Sequence, residues 1–393
     1  MNETAGRAPP RPAFYNDPRI RALFYQALVL GLVCAAGAYL IHNTILNLQR
    51  LGVSTGFAFL DRPAGFGISQ VPIAYTEQSS FGRAFLVGLV NTAICAAIGI
   101  VLATILGFIV GIARLSRNWL LNKLATVFVE VIRNIPVLLQ LIFVYVVVLA
   151  ALPQPRESFA IGESLFINTG GLFLPLPIAL PGFNLTIAAL IVAIIAVLLL
   201  ARWARARREA TGQPFPTFWT ALAILVLLPV ATFLVTGSPL EFEYPQANRF
   251  RIQGGLVMRP ELVAIVLGLT LYTASYIAEV VRAGILAVNK GQTEASMALG
   301  LTRGQAMRLV IVPQAMRVII PPLTNQYLNL TKNSSLGIAV GYPEFFSIAG
   351  TINNQTGQAV EVIAITMAVY LTFSLLIAAF MNWYNAKIAL VER

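Results

Sequence analysis

The sequence predicts an all-α polytopic membrane protein with about eight transmembrane helices, and three observations carry that prediction. Of its 393 residues 58% are hydrophobic and only 11% charged, with a mean hydropathy of +0.77, far from the usage of soluble domains. Five runs hold no Asp, Glu, Lys or Arg, at 22–42, 84–112, 183–201, 216–236 and 362–383. Each is near the ~20 residues a helix needs to cross hydrocarbon. Lys and Arg also fall unevenly on alternate sides of these runs, as expected of a chain whose basic loops stay cytoplasmic.

Taken in order, residues 1–21 form a polar head in which Pro9, Pro10, Pro12 and Pro18 oppose helix. The first span, 22–42, has no small-residue cleavage site and reads as an anchor, not a removable signal. Residues 43–83 form an external loop with turns at Asp61-Arg62-Pro63 and Gly65-Phe66-Gly67, expected to pack on the outer rim of the spans. Three further spans, 124–151, 261–287 and 317–332, contain a few charges and bring the total to eight. The stretch 152–182 is punctuated by Pro153, Pro155, Pro175, Pro177 and Pro181, so it is not helical throughout. The flanks 1–21, 114–123, 202–214, 282–317 and 384–393 hold eighteen Lys and Arg, and the opposite flanks hold seven. Both termini, including the tail 385–393, and the segment 288–313 are therefore expected in the cytoplasm.

The net charge of +11 is spread over cytoplasmic loops without an aromatic-interleaved patch, so nucleic acid is not an expected partner. The run RWARARR at 202–208 reads as a stop-transfer anchor facing anionic lipid headgroups. Cys34 and Cys95 fall inside apolar spans as small hydrophobes. His42, the single histidine, has no second ligand near it, and no metal site is expected. The four lysines, Lys123, Lys290, Lys332 and Lys387, follow Asn, Asn, Thr and Ala. None completes the Gly-Lys-Ser/Thr of a P-loop, so the chain is expected to bind no ATP and to be no enzyme.

The segment EASMALGLTRGQAMRLVIVP, 294–313, reads as a polar helical hairpin between apolar stretches. Gly291 marks its start, and Glu294 is placed in the first turn, where a carboxylate meets the positive helix end. Gly300 stands where a left-handed C-cap is needed. Thr302 and Gln305 have capping-box spacing, Ala306, Leu309 and Val310 form an apolar face, and Pro313 closes the segment.

This spacing resembles the EAA motif of permease subunits of ATP-binding-cassette importers: Glu-Ala-Ala, three residues, Gly, nine residues, then aliphatic-x-aliphatic-Pro. Glu294 and Ala295 match, Ser296 departs from the usual Ala, Gly300 is the motif glycine, and Val310 and Val312 precede Pro313. Further stretches resemble the amino-acid branch of that family, among them VFVEVIRNIPVLLQLIFVY, LYTASYIAEVVRAGILAVNKGQTEA and PQAMRVIIPPLTNQYLNLTKNSSLGIAVG. The wording is similar to the larger permease subunit of general L-amino acid importers. The resemblance implies the type I importer transmembrane fold over 84–384, with an inserted segment 152–260 carrying two extra helices and an extra first span with its loop at 22–83. It implies that 288–313, through Glu294, Ala295, Gly300, Thr302 and Pro313, couples to an ATPase. It further implies a second, homologous permease as heterodimer partner, two cytoplasmic ATPase subunits holding ATP and Mg, a periplasmic amino-acid-binding protein, an L-amino acid substrate, and a bacterial inner-membrane location.

Candidates for the substrate pathway are the polar residues within spans. Glu130 and Arg133, beside Asn134, lie i, i+3, and either face a pathway or lock two helices near the cytoplasmic face. Pro136 interrupts the same span. Glu279 and Arg282 repeat the spacing about 27 Å into their span, where an interfacial pair is the simpler reading. Lys332 lies roughly 22 Å along its span. With Asn333, Ser334 and Ser335 it either meets a substrate carboxylate or gate, or caps the last carbonyls of its helix. Thr273, Asn91 and Thr92 are weaker candidates, since such residues more often serve helix packing. The rival to an ATP-driven importer is an ion-coupled secondary amino-acid transporter, which needs intramembrane carboxylates, and only Glu130 is clearly inside a span. A membrane enzyme or channel lacks any nucleophile-base cluster or acidic ring.

Single cysteines test the orientation. In a background lacking Cys34 and Cys95, cysteines at Gln70 and Gln246 are expected to react with an impermeant thiol reagent from outside, and one at Thr211 is not. The reverse pattern overturns the topology.

Overall fold

The computed structural model describes residues 18–50, 56–162, 164–247 and 252–388. Twelve helices and eight short strands follow in order: α1 Pro18–Arg50, α2 Phe81–Ala113, α3 Trp119–Asn134, α4 Val137–Phe143, β1 Phe159–Ile161, β2 Leu165–Asn168, β3 Gly171–Leu174, β4 Leu176–Ala179, α5 Phe183–Thr211, α6 Thr217–Val235, β5 Leu240–Glu243, β6 Gln246–Ala247, β7 Ile252–Gln253, β8 Leu256–Met258, α7 Pro260–Leu286, α8 Lys290–Ala298, α9 Arg303–Ala306, α10 Val312–Asn333, α11 Phe345–Thr356 and α12 Ala359–Ile388. Among the described residues, seven helical runs are long and apolar enough to cross a membrane, or eight if the bent pair α3 and α4 counts as one span. The predicted helical membrane class holds. Of the polar head 1–21 and the tail 385–393, residues 1–17 and 389–393 lie outside the described residues.

The chain divides into two units, Met1–Val90 with Phe345–Phe373, and Asn91–Glu344 with Ser374–Arg393. In the first, the residues after 55 pack on the start of α2, as a loop lying against the spans would. Phe59, Phe81, Phe85, Phe345 and Ile348 form a buried core, with the rings of Phe85 and Phe345 stacked at 5.3 Å. The Gly56 N–H donates to Glu361 Oε1 at 2.7 Å, which ties the start of the segment to α12, and the Tyr75 hydroxyl donates to the Phe66 carbonyl at 2.7 Å within it. Helix α1 is exposed along nearly its whole length.

In the second unit α7 is the most deeply buried span, packed by α2, α4 and α10 around Leu141, Ile265, Leu269, Ile277 and Ile320. Gly107 and Gly111 give α2 a GxxxG surface. A Cβ at Gly107 would stand 2.6 Å from Ile277 Cβ, and one at Gly111 would stand 2.8 Å from the Ala278 carbonyl, so only glycine permits this approach. The Thr104 and Tyr327 hydroxyls meet at 2.8 Å between α2 and α10.

Three expectations change. The span 124–151 is a pair of helices bent by 105°, because Pro136 has no N–H and its ring obstructs the helical ladder. The Gln140 side-chain amide donates to the Ile132 and Ile135 carbonyls, both at 2.8 Å, and so satisfies the break from within. The span 317–332 is part of one helical run, Arg303–Val340. Pro313 does not close the hairpin, because a wider π turn at Met307–Ile311 precedes it and admits the proline into a continuous rod. Third, the segment 152–260 carries short antiparallel strands besides its two helices. Strands β1, β2, β3 and β8 form one sheet in that order, β4 pairs with β5, and β6 with β7. Strand β3 pairs in register with β8 (Leu172 with Met258), so the strands clasp the base of the α5–α6 hairpin.

Replacing Gly107 with Leu should lower the thermal midpoint of the detergent-solubilised chain, in line with the ~1–3 kcal/mol typical of overpacking. An unchanged midpoint would mean that the close α2–α7 approach is not a constraint.

Candidate functional site

The hairpin after α7 is built by local rules. Asn289 caps α8, its side chain accepting from the Gly291 N–H at 2.8 Å. This cap sets the helix start at Lys290, so Glu294 lies in the second turn, not the first, beyond the free N–H groups of the helix end. Gly300 has φ +80°. The Gly300 N–H donates to the Met297 carbonyl at 2.9 Å and the Leu301 N–H to the Ser296 carbonyl at 3.1 Å, the two bonds of a Schellman cap. Thr302 and Gln305 then form a reciprocal capping box that starts α9.

Ser296, where the motif has Ala, is buried and donates to the Gln292 carbonyl at 2.5 Å. A small side chain is what that position needs. Glu294, Ala295 and Thr302 are exposed, as is Pro313. Ala306 is buried as expected, but Leu309 is 61% exposed because the π turn rotates it outward; Leu299 at the tip is 82% exposed. Gln314 donates to Gln292 at 3.2 Å and ties α10 to α8. Between the hairpin and the end of α7 lies a groove of about 520 Å³ whose lining includes Val288, Met297 and Met307 with Arg117, Lys290 and Arg303.

The charged candidates partner differently from their spacing. Glu130 pairs with Arg114 at 3.7 Å and not with Arg133. Arg133 stands over the Tyr276 ring, 5.0 Å from its centroid, and Asn134 donates to the Glu130 carbonyl at 2.7 Å. Glu279 and Arg282 do pair, at 2.6 Å, and Arg114, which follows α2, also bonds Glu279. Arg114 was not anticipated, since its place beside α7 depends on the tertiary approach at Gly107 and Gly111.

Lys332 is exposed at the end of α10, and among the described residues no carboxylate lies within 4.0 Å of it. The α-helix gives way to a 3₁₀ turn at Ser334. Ser334 and Ser335 donate to the Thr331 and Lys332 carbonyls at 2.7 and 2.8 Å, so their hydroxyls serve the helix end. Asn333 and Thr273 instead share the lining of a polar cavity of about 290 Å³ with Tyr272, Tyr276, Gln326 and Asn329. The last four were missed in the sequence. Their signal was present as a polar stripe, Gln326, Asn329 and Asn333 on α10 and the i, i+4 pair Tyr272 and Tyr276 on α7. Asn91 and Thr92 are buried, and Asn91 donates to the Pro343 carbonyl at 2.8 Å.

Residues 193–390 match the family model of the binding-protein-dependent transport system inner membrane component. The chain is 52% identical to the general L-amino acid transport system permease protein AapQ of Rhizobium johnstonii, over 98% of this chain and 96% of that one. It is 47% identical to the putative amino-acid ABC transporter permease protein YhdX of Escherichia coli, over 96% and 97%. It is 40% identical to the glutamate/glutamine/aspartate/asparagine transport system permease protein BztB of Rhodobacter capsulatus, over 98% and 99%. With half its length inside the family model and relatives that match it nearly end to end, the chain belongs to the binding-protein-dependent inner membrane components, as an amino-acid ABC transporter permease.

Proposed function

We propose that this chain forms the passage of an ATP-driven L-amino acid importer by alternating access, coupled to a cytoplasmic ATPase through the 288–313 hairpin. The observation that carries this reading is the hairpin itself. Two helices fixed by a Schellman cap and a capping box hold Leu299 and Leu309 outward on a polar frame. Exposed apolar residues on a rigid frame call for a covering partner. In this reading that partner is the ATPase, which holds ATP and Mg, and Glu294 pairs with a basic residue on it. A homologous second permease completes the passage, and a periplasmic binding protein delivers the amino acid. The complex sits in the inner membrane with both termini cytoplasmic, as the eighteen-to-seven charge distribution supports.

The cavity on α7 and α10 is the substrate passage in this reading, with Lys332 near its outer end as a cation for the substrate carboxylate. Transport by Lys332→Met should fall by roughly ten-fold, the scale of one charge-assisted hydrogen bond, while Lys332→Arg retains most of it. A methionine variant that assembles and transports like the parent removes Lys332 from the pathway.

The hairpin gives the sharper test. Gly300→Val places a β-branched residue at φ +80°, with strain of ~1–3 kcal/mol at the turn. Membrane insertion should survive, because the lesion is local to the hairpin. Retention of the ATPase, or substrate-stimulated ATP hydrolysis, should be lost in Gly300→Val and reduced a few-fold in Glu294→Ala. Normal coupling in both variants refutes the docking role.

A further inference from the structure

We propose that the α5–α6 turn, from Arg202 to Trp219, is a binding surface for the headgroups of anionic phospholipids, independent of the transport reading above. Arg202, Arg205 and Arg208 lie at i, i+3 and i+6, one exposed stripe on the last turns of α5. Arg207, on another face, is held over two rings, 5.3 Å from the Trp203 centroid and 6.0 Å from that of Phe215, and those rings meet edge to face at 5.2 Å. The turn that brings Phe215 back is fixed by Gly212 in a left-handed cap, φ +70°. Glu209 is the one carboxylate in the run, yet none of the four arginines forms an ion pair within 4.0 Å among the described residues.

The guanidinium is suited to phosphate, because it is planar, weakly hydrated and able to bond two oxygens at once. The clamp on Arg207 holds it in place before any ligand arrives, so less freedom is lost on binding. A stop-transfer anchor needs charge but no such clamp.

Lipid is favoured over an acidic protein surface by what surrounds the arginines. Below them α5 and α6 expose Leu198, Leu199 and Leu227 at 59%, 58% and 64%, so the hairpin meets hydrocarbon on several sides. Trp203 and Trp219, 48% and 70% exposed at the same end, mark the headgroup level, where indole rings settle. The guanidinium groups thus stand beside the level at which lipid phosphates lie.

The test uses the full chain, with Trp119, Trp219 and Trp383 changed to Phe so that Trp203 alone reports. It is reconstituted in phosphatidylcholine vesicles containing a minor fraction of phosphatidylglycerol, with bromine on the acyl chains of one lipid or the other as quencher. Phosphatidylglycerol should be enriched at Trp203 over its bulk fraction by roughly five-fold, the effect of a single basic residue near a charged surface. The enrichment should fall toward unity in Arg202→Gln/Arg205→Gln/Arg207→Gln/Arg208→Gln and persist in the matching Lys variant. In the parent it should weaken as the Debye length shrinks from ~10 Å at 0.1 M salt to ~3 Å at 1 M. No enrichment in the parent, equal enrichment in the Gln variant, or a Trp203 that neither lipid reaches because a protein covers it, each overturns the proposal.

Discussion

Close helix approach at glycine is the constraint on which the second unit depends. Inside a bilayer, hydrocarbon is as apolar as leucine, so helices associate by surface fit and not by escape from water. Helix α7 obtains that fit by meeting residues that leave room, or by leaving room itself. Gly107 and Gly111 of α2 admit Ile277 and Val281, Gly268 of α7 admits Leu141, and Gly284 admits Ile319. Dispersion contacts of this kind weaken steeply with even a small gap. The outer helices α5 and α6 make no comparable approach to the rest of their unit and rely on each other and on the strands at their base.

The same approach decides where charge can reside. Arg114 follows the last residue of α2, and because α2 lies tightly on α7 its guanidinium reaches Glu279, which also holds Arg282, and Glu130 on α3. Four charged groups, two on α7, one on α3 and one just past α2, therefore compensate one another where a lone charge would be expensive. Arg133 gains a ring instead of a carboxylate, since Tyr276 presents its face one turn from Tyr272. Partner choice here is tertiary, and i, i+3 spacing alone could not settle it.

Legibility in the sequence follows the range of the physics. Gly300 and the Thr302–Gln305 box could be read directly, because a cap is decided within four or five residues. The number of long apolar helices was legible for a similar reason, as composition over twenty residues decides it. Glu294 falls a turn later than a start at Gly291 implies, because the side chain of Asn289, two residues earlier, is the acceptor that caps the helix. Pro313 misled because a π turn lets a proline continue a helix, a compensation that leaves no mark in composition. The strands of 152–260 escape a sequence reading because they are two to four residues long, and two of their pairings, β3 with β8 and β4 with β5, join segments on either side of α5 and α6. The polar cavity needed Gln326, Asn329 and Asn333 to face Tyr272, Thr273 and Tyr276, a pairing of helices that are distant in sequence.

The way the hairpin is joined to the cavity gives the proposed coupling a physical route. Helix α8 follows α7 after only Ala287, Val288 and Asn289, and α9 continues into α10 without a break through Val340. The helices that line the polar cavity are therefore the two that hold the hairpin. A load applied at Leu299 or Leu309 acts at once on the lever arms of both walls, with Gln292 and Gln314 bridging them near the base. A hydrogen-bonded helix transmits such a load except where its ladder is interrupted. On the run Arg303–Val340 the ladder is interrupted ahead of the cavity residues by the π turn at Met307–Ile311 and by the pair Pro321 and Pro322. In the proposed coupling, bending at those prolines would shift Gln326, Asn329 and Asn333 relative to α7 while the hairpin stays intact. A partner gripping the hairpin would thus reshape the cavity without touching it, because both walls descend from the surface it would hold.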